Sequence, residues 1–138
     1  MAVRIRIKVK NELNQKEVQT VAIANAGYET PEPEITIPIK LAEKLGIWPS
    51  LPAKSRVDEY RTMSGIVRLI KTPEIIEVSI GNRKVKCKAA ISEVEEEVVL
   101  NDKMCDSLGI VLEEPGKGRW RFKDEREIRE SEEPEPWK

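Results

Sequence analysis

Charged side chains and two thiols are the groups in this 138-residue sequence that could do chemistry. The chain has 25 Asp and Glu residues, 24 Lys and Arg residues, two cysteines and no histidine. The absence of histidine excludes Ser-His-Asp triads, histidine-ligated metals and imidazole acid–base catalysis. Two cysteines are too few for a four-thiolate zinc site. Many common enzyme mechanisms are therefore excluded, and the sequence predicts neither a metal nor a cofactor.

Cations alternate with apolar residues at the start of the chain. In residues 3–10 every second side chain is a cation, namely Arg4, Arg6, Lys8 and Lys10, and this period of two is typical of a half-buried strand. The cations could form a stripe that faces phosphates, or a solvated strand face that discourages edge-to-edge pairing. Because the formal net charge of the chain is only -1, we favour the solvated face and expect no nucleic-acid partner.

The sequence predicts a cytoplasmic protein. No segment approaches the roughly 20 apolar residues of a membrane span, and the first residues lack the apolar run of a signal peptide. In the cytoplasm Cys87 and Cys105 are expected to be free, buried thiols. Charged residues make up 36% of the chain and glutamines are few, as is typical of hyperthermophile proteins. In a hyperthermophile the two cysteines could instead form a disulfide.

The remaining patterns predict one all-β domain over residues 1–122, with two short helices. Helices are predicted over 38–45, with Pro38 at the first position, and over 102–108, capped by Asn101, and a glycine ends each of them. Residues 123–138 are charged and almost without apolar side chains, which predicts a flexible tail. Strands are predicted over 3–10, 18–24, 57–71 (two strands broken near Ser64-Gly65), 74–80, 83–91, 98–100, 111–112 and 119–122.

Two segments of the chain echo each other. In each, a strand and a break precede a two-turn helix that ends in Leu-Gly-Ile, at residues 45–47 and again at 108–110. Such a repeat suggests a pseudo-twofold axis within one all-β domain.

Together these segments resemble the retropepsin-like aspartic proteases, and in particular their small archaeal and bacterial single-domain members. The resemblance covers about Val3 to Phe122. The residues that carry it are Val21 to Gly27 (Val-Ala-Ile-Ala-Asn-Ala-Gly), Ile37 to Ile47, Val98 to Leu100, Leu108 to Ile110 and Gly116 to Phe122.

The resemblance implies a retropepsin-like closed barrel with one lobe per chain. It also implies a homodimer with a cleft between the two subunits, closed by flap hairpins. In this chain the flap would be residues 57–70, with Tyr60, Met63, Ser64 and Gly65 contacting a bound peptide.

The chain departs from the family at the catalytic motif. Where the family has Asp-Thr/Ser-Gly, this sequence has Asn25, Ala26 and Gly27. The family mechanism uses two aspartates, one protonated while the other activates water, and a neutral amide can do neither. Asn101 stands where the family has glycine, and about three residues are inserted between Gly27 and the first helix. These departures predict the loss of catalysis.

We therefore expect a catalytically inactive, homodimeric module that binds a peptide or protein. A divergent aspartic-type peptidase that uses other carboxylates, such as Glu29, Asp58 or Asp102, is the first alternative, and a nucleic-acid accessory protein is the second. The trio that begins at Asn25 could also be simply a turn, because Asn and Gly both tolerate positive φ.

Overall fold

The fold is mainly β with two short helices, which confirms the predicted class. The computed structural model describes residues 1–63 and 65–138, apart from the side chains of Tyr60 and Thr62. In the described residues the elements are β1 (Arg4–Asn11), β2 (Glu17–Ala24), β3 (Glu34–Pro38), α1 (Ile39–Leu45), β4 (Arg56–Thr62), β5 (Gly65–Lys71), β6 (Ile76–Ile80), β7 (Arg83–Ser92), β8 (Val98–Leu100), α2 (Asp102–Leu108), β9 (Ile110–Glu114), a 3-10 turn (Pro115–Lys117), β10 (Arg119–Phe122) and β11 (Arg129–Glu130).

Six strands close into a barrel, in the order β3-β8-β2-β1-β6-β7, with β7 pairing back onto β3. The β3–β7 and β2–β8 pairs are parallel, and the other pairs are antiparallel. Strand β3 lies in the segment 28–38, for which the prolines predicted only an extended or looped chain. Its pairing with β7 closes the barrel, so that each of these six strands has a strand neighbour on both sides.

The β4–β5 hairpin extends beyond the barrel. Residues 69–71 of β5 pair with residues 90–92 of β7, and β4 pairs with β5 along its whole length. The two predicted strands of residues 57–71 are therefore present, and the predicted break at Ser64 lies outside the described residues.

Alternate apolar residues of the barrel strands form the core, and both helices contribute buried side chains to it. Helix α1 buries Leu41, Ala42 and Leu45, and the glycine that follows it has a left-handed φ of 77°. Helix α2 buries Met104, Cys105 and Leu108 and ends at a glycine with φ of 75°. Both helices end as the sequence predicts, because glycine enters the left-handed region without steric cost. In the described part of the chain, no helix is long and apolar enough to cross a membrane.

Residues 123–138, for which the sequence predicts a flexible tail, are packed against the barrel in the structure. Strand β11 pairs with β10, and the backbone N–H of Glu132 donates to the carbonyl of Arg4 at 2.9 Å. The indole of Trp137 packs on the core and donates to Thr20 Oγ1 at 2.9 Å. Composition did not predict this packing, because the segment has no run of apolar residues. A single tryptophan and a few ion pairs hold it against the barrel.

Both cysteines are free and buried, and the sequence predicts free, buried thiols at these positions. Burial raises the pKa of the Cys87 thiol far above its ordinary value. Burial, together with the nearby Asp106 and Asp102, raises the pKa of Cys105 to about 11. At pH 8 both side chains are therefore neutral thiols, which react poorly with electrophiles.

We expect slow labelling of both thiols in the native protein. With a pKa of about 11, Cys105 holds roughly one thiolate in a thousand at pH 8, and its labelling rate should rise about tenfold per pH unit. Mass spectrometry after timed exposure to iodoacetamide measures the rate, and the protein unfolded in guanidinium is the control. Labelling of either cysteine in native protein as fast as in the unfolded control would contradict the prediction.

Candidate functional site

The trio that begins at Asn25 forms an exposed turn at the end of β2. The backbone N–H of Asn25 donates to the carbonyl of Leu100 on the neighbouring strand at 3.0 Å. Its side-chain Oδ1 accepts from the backbone N–H of Gly27 at 2.9 Å, which is an Asx turn. Asn25, Ala26 and Gly27 are all exposed. The amide oxygen of Asn25 is thus engaged within its own turn, and the trio contributes no carboxylate.

Asn101 is fully buried and fixes the long loop that follows this turn. Its Oδ1 accepts from the N–H of Met104 at 2.9 Å, which is the predicted helix cap, and from the N–H of Glu34 at 3.1 Å. Its Nδ2 donates to Thr30 Oγ1 at 2.6 Å and to the carbonyl of Glu32 at 3.0 Å. One side chain therefore caps α2 and holds residues 30–34 in place, and the sequence predicted only the first of these roles.

A charged groove of about 710 Å³ lies between this loop, the start of β4 and the connection from β5 to β6. Two of the carboxylates considered as replacements for a catalytic pair, Glu29 and Asp58, line the groove. The third, Asp102, lies in the first turn of α2, where its Oδ1 accepts from the N–H of Lys103 at 2.8 Å. The described residues that line the groove are Glu29, Thr30, Pro31, Glu32, Glu34, Lys54, Arg56, Asp58, Lys71, Thr72, Pro73, Glu74 and Lys88.

The predicted flap residues lie farther out on the hairpin. Met63 is fully exposed and Gly65 has a φ of 122°, and neither is among the described residues that line the groove. Ser64 and the side chain of Tyr60 lie outside the described residues. Contact between these four positions and a peptide remains a prediction.

A buried ion pair forms the floor of the groove. Lys71 Nζ lies 3.0 Å and 3.1 Å from the two carboxylate oxygens of Glu34, and the hydroxyl of Tyr28 donates to Glu34 Oε2. The side chains of Glu34 and Lys71 are only 6% and 11% exposed. Charges buried this far are tolerated because they are paired and hydrogen-bonded. The pair ties the start of β3 to the end of β5.

Sequence reasoning missed this pair, although β5 contains a signal for it. Because side chains alternate between the two faces of a strand, Lys71 lies on the same face of β5 as Val67 and Leu69, both of which are partly buried. A lysine that continues an apolar face needs a carboxylate partner. The partner could not be read from β5, because Glu34 is 37 residues away in the chain.

Charges of both signs surround the opening of the groove. Lys88 Nζ lies 3.0 Å from Glu32 Oε2, and Arg56 Nε lies 3.6 Å from Asp58 Oδ1. Lys54 also lines the opening. In residues 1–63 and 65–138, no three Cys, Asp or Glu side chains are grouped so that they could hold a metal ion. The groove therefore offers ion pairing and hydrogen bonding to a ligand.

Carboxylates pair with three cations of the stripe on β1. Arg4 makes a bidentate contact with Glu97, at 2.8 Å and 3.0 Å. Arg6 contacts two carboxylates of the C-terminal segment, at 3.1 Å and 2.7 Å, and Lys8 lies 3.8 Å from Glu17. This pairing favours the interpretation of the stripe as a solvated strand face.

Neither the protein-family models nor the curated proteins searched give a match to this chain.

Proposed function

We propose that this chain is a retropepsin-like domain that lacks peptidase activity and binds an extended polypeptide segment as a homodimer. The closed barrel, the projecting β4–β5 hairpin and the two strand-to-helix units that end in left-handed glycines support the family assignment. Extended peptides are commonly bound beside strands, where main-chain hydrogen bonds supply affinity and do not require a catalytic group.

The groove at the base of the hairpin is the observation that carries the binding proposal. Alternate residues of β4, Arg56 and Asp58, line it from one side, and residues 29–32 line it from the other. Across the groove, β4 offers charged side chains and the loop can offer backbone groups to an extended chain. The mixed charges at the opening suit a polypeptide that carries both acidic and basic side chains.

The turn at Asn25 supports the absence of peptidase activity. Aspartic peptidases depend on two carboxylates that share one proton, and this turn presents a neutral amide whose oxygen already accepts from Gly27. Asn101, where the resemblance implies a glycine, is a fully buried side chain that caps α2 and holds residues 30–34. Both the acid–base pair and the geometry that would support it are thus altered.

A peptidase that uses other carboxylates is the second candidate. The observation that favours it is the presence of Glu29 and Asp58 in the same groove. The acid–base chemistry would then take place at the base of the hairpin, away from the turn at Asn25.

One experiment tests both candidates. Reduced, carboxymethylated casein is incubated with the protein between pH 3.5 and pH 7. Cleavage is followed by mass spectrometry, and binding is followed by fluorescence anisotropy. We expect binding without cleavage. Reversing two groove cations, Arg56→Glu with Lys88→Glu, should weaken binding about tenfold, since each reversal removes a favourable charge contact of roughly 0.5–1 kcal/mol.

The control reverses Lys84 and Lys86 to Glu, because both are exposed on β7 and do not line the groove.

Asn25→Asp with Ala26→Thr rebuilds the family motif, and we expect at most feeble cleavage, since a misplacement of about 1 Å costs about a hundredfold in rate. Cleavage by the natural protein that is lost in Glu29→Gln or Asp58→Asn would contradict the proposal and establish the second candidate.

A further inference from the structure

The outer edge of β4 is open to a partner strand. Among the described strands β4 pairs with β5 alone, so its other edge presents backbone N–H and C=O groups without a strand partner. Val57, Glu59 and Arg61 point to the face of the hairpin opposite the groove, because Arg56 and Asp58 point into it. Val57 is 56% exposed. Exposed apolar side chains beside an open edge are typical of a surface that another chain covers.

We propose that a second copy of this chain pairs antiparallel with β4, with Tyr60 opposite the partner's Tyr60. The inference rests on the homodimer of the proposed function and names its interface. The two hairpins then form one continuous sheet of four strands.

Symmetry restricts the possible registers. In an antiparallel ladder, hydrogen-bonded and non-hydrogen-bonded pairs alternate. Suppose instead that no residue lies opposite its own copy. The two residue pairs on either side of the twofold axis would then be adjacent in the ladder, and the symmetry would make them identical. Adjacent pairs must be of different types, so this arrangement is impossible. One residue of β4 must therefore lie opposite itself.

Charge then selects the register. Centring the pairing on Asp58, Glu59 or Arg61 places identical charges directly opposite each other, which is unfavourable. Centring it near either end of β4 pairs only about three residues of each copy. The register centred on Tyr60 avoids both problems.

In that register the facing side chains are complementary. Glu59 lies opposite the partner's Arg61, and symmetry makes this contact twice. Just beyond the end of β4, the partner's Met63 lies in line with Val57, and its side chain is fully exposed in the single chain. Within the hairpin, Val57 is paired with the buried Ile70, so the apolar contact extends an existing apolar row. Opposite charges and apolar pairs at facing positions both stabilise a sheet.

Charge reversal tests the interface in the full chain. Size exclusion with light scattering should give the natural protein about twice the 15.8 kDa chain mass. Arg61→Glu alone and Glu59→Arg alone each place like charges opposite each other twice. We expect each to raise the dimer dissociation constant about thirtyfold, because two cross-strand pairs turn from attractive to repulsive. Both positions are exposed, so the circular dichroism spectrum should stay native.

Two combinations should restore the dimer. Glu59→Arg with Arg61→Glu in one chain restores both opposite-charge pairs. An equimolar mixture of the two single variants should form a heterodimer, because one chain then carries two arginines and the other two glutamates at the facing positions. Lys84→Glu, on an exposed part of β7, is the matched control and should leave the dimer unchanged.

The outcomes separate the two proposals. A natural protein that is monomeric at micromolar concentration overturns both the homodimer and its interface. A dimer whose dissociation constant is unchanged by either reversal overturns the β4 interface and leaves the homodimer standing. A mixture of single variants that stays monomeric overturns the register centred on Tyr60.

Discussion

Lys71→Met is expected to lower the free energy of unfolding by about 3–5 kcal/mol, because it leaves a buried carboxylate without its cation. Glu34 is only 6% exposed, and Lys71 Nζ lies within 3.1 Å of both its oxygens. The hydroxyl of Tyr28 still donates to the carboxylate in the variant, but a neutral donor does not balance a buried charge. Urea denaturation followed by circular dichroism measures the loss.

Two further variants define the cause. Lys71→Met combined with Glu34→Met removes both charges, and it should recover most of the loss because buried ion pairs are often replaceable by apolar residues of similar volume. Lys88→Met breaks the exposed pair with Glu32 at 3.0 Å and should cost less than about 1 kcal/mol. A loss no larger for Lys71→Met than for Lys88→Met would show that the groove floor is hydrated in solution.

Asn101→Ala is expected to cost about 2–4 kcal/mol, since it leaves two buried backbone N–H groups, those of Glu34 and Met104, without their acceptor. Asn101→Asp keeps that acceptor but loses the donations to Thr30 and Glu32. We expect the aspartate variant to lose at least as much stability as the alanine variant, because it also buries a carboxylate without a cation beside the carbonyl of Glu32. The residue-level effects of the two variants separate the capping of α2 from the anchoring of the loop.

Hydrogen exchange gives the residue-level readout for these variants. In Asn101→Asp the amides of residues 30–34 should exchange faster while those of α2 keep their protection, because the cap remains. In Asn101→Ala both segments should exchange faster. Equal protection of residues 30–34 in the natural protein and in both variants would contradict the anchoring role.

Glu34 joins these two sets of contacts. Its backbone N–H donates to Asn101 Oδ1, its carbonyl accepts from the N–H of Asn101 at 3.2 Å, and its carboxylate meets Lys71. The loop on one side of the groove and the hairpin on the other are therefore anchored at a single residue. A groove held at its base in this way is preorganised, which lowers the entropic cost of ordering an extended ligand.

The elements of this fold were predictable because their signals are local. The alternation in residues 3–10 predicts β1, Gly81-Asn82 predicts the turn between β6 and β7, and Asn101 with the glycine eight residues later predicts the limits of α2. Each of these signals acts within a few residues of the chain, through backbone geometry, hydrogen bonding or side-chain period. The turn at Asn25 was also predictable, because Asn and Gly both favour turns.

The position and the charges of the groove depend on contacts between residues that are far apart in the sequence. The Glu34–Lys71 pair spans 37 residues, the contact of Asn101 with Thr30 spans 71, and the contact of Trp137 with Thr20 spans 117. A chain with 24 cations and 25 carboxylates allows very many pairings, and local patterns do not distinguish among them. Closure of the barrel selects these partners, because it removes water from particular side chains and leaves each buried polar group only the few neighbours within hydrogen-bond distance.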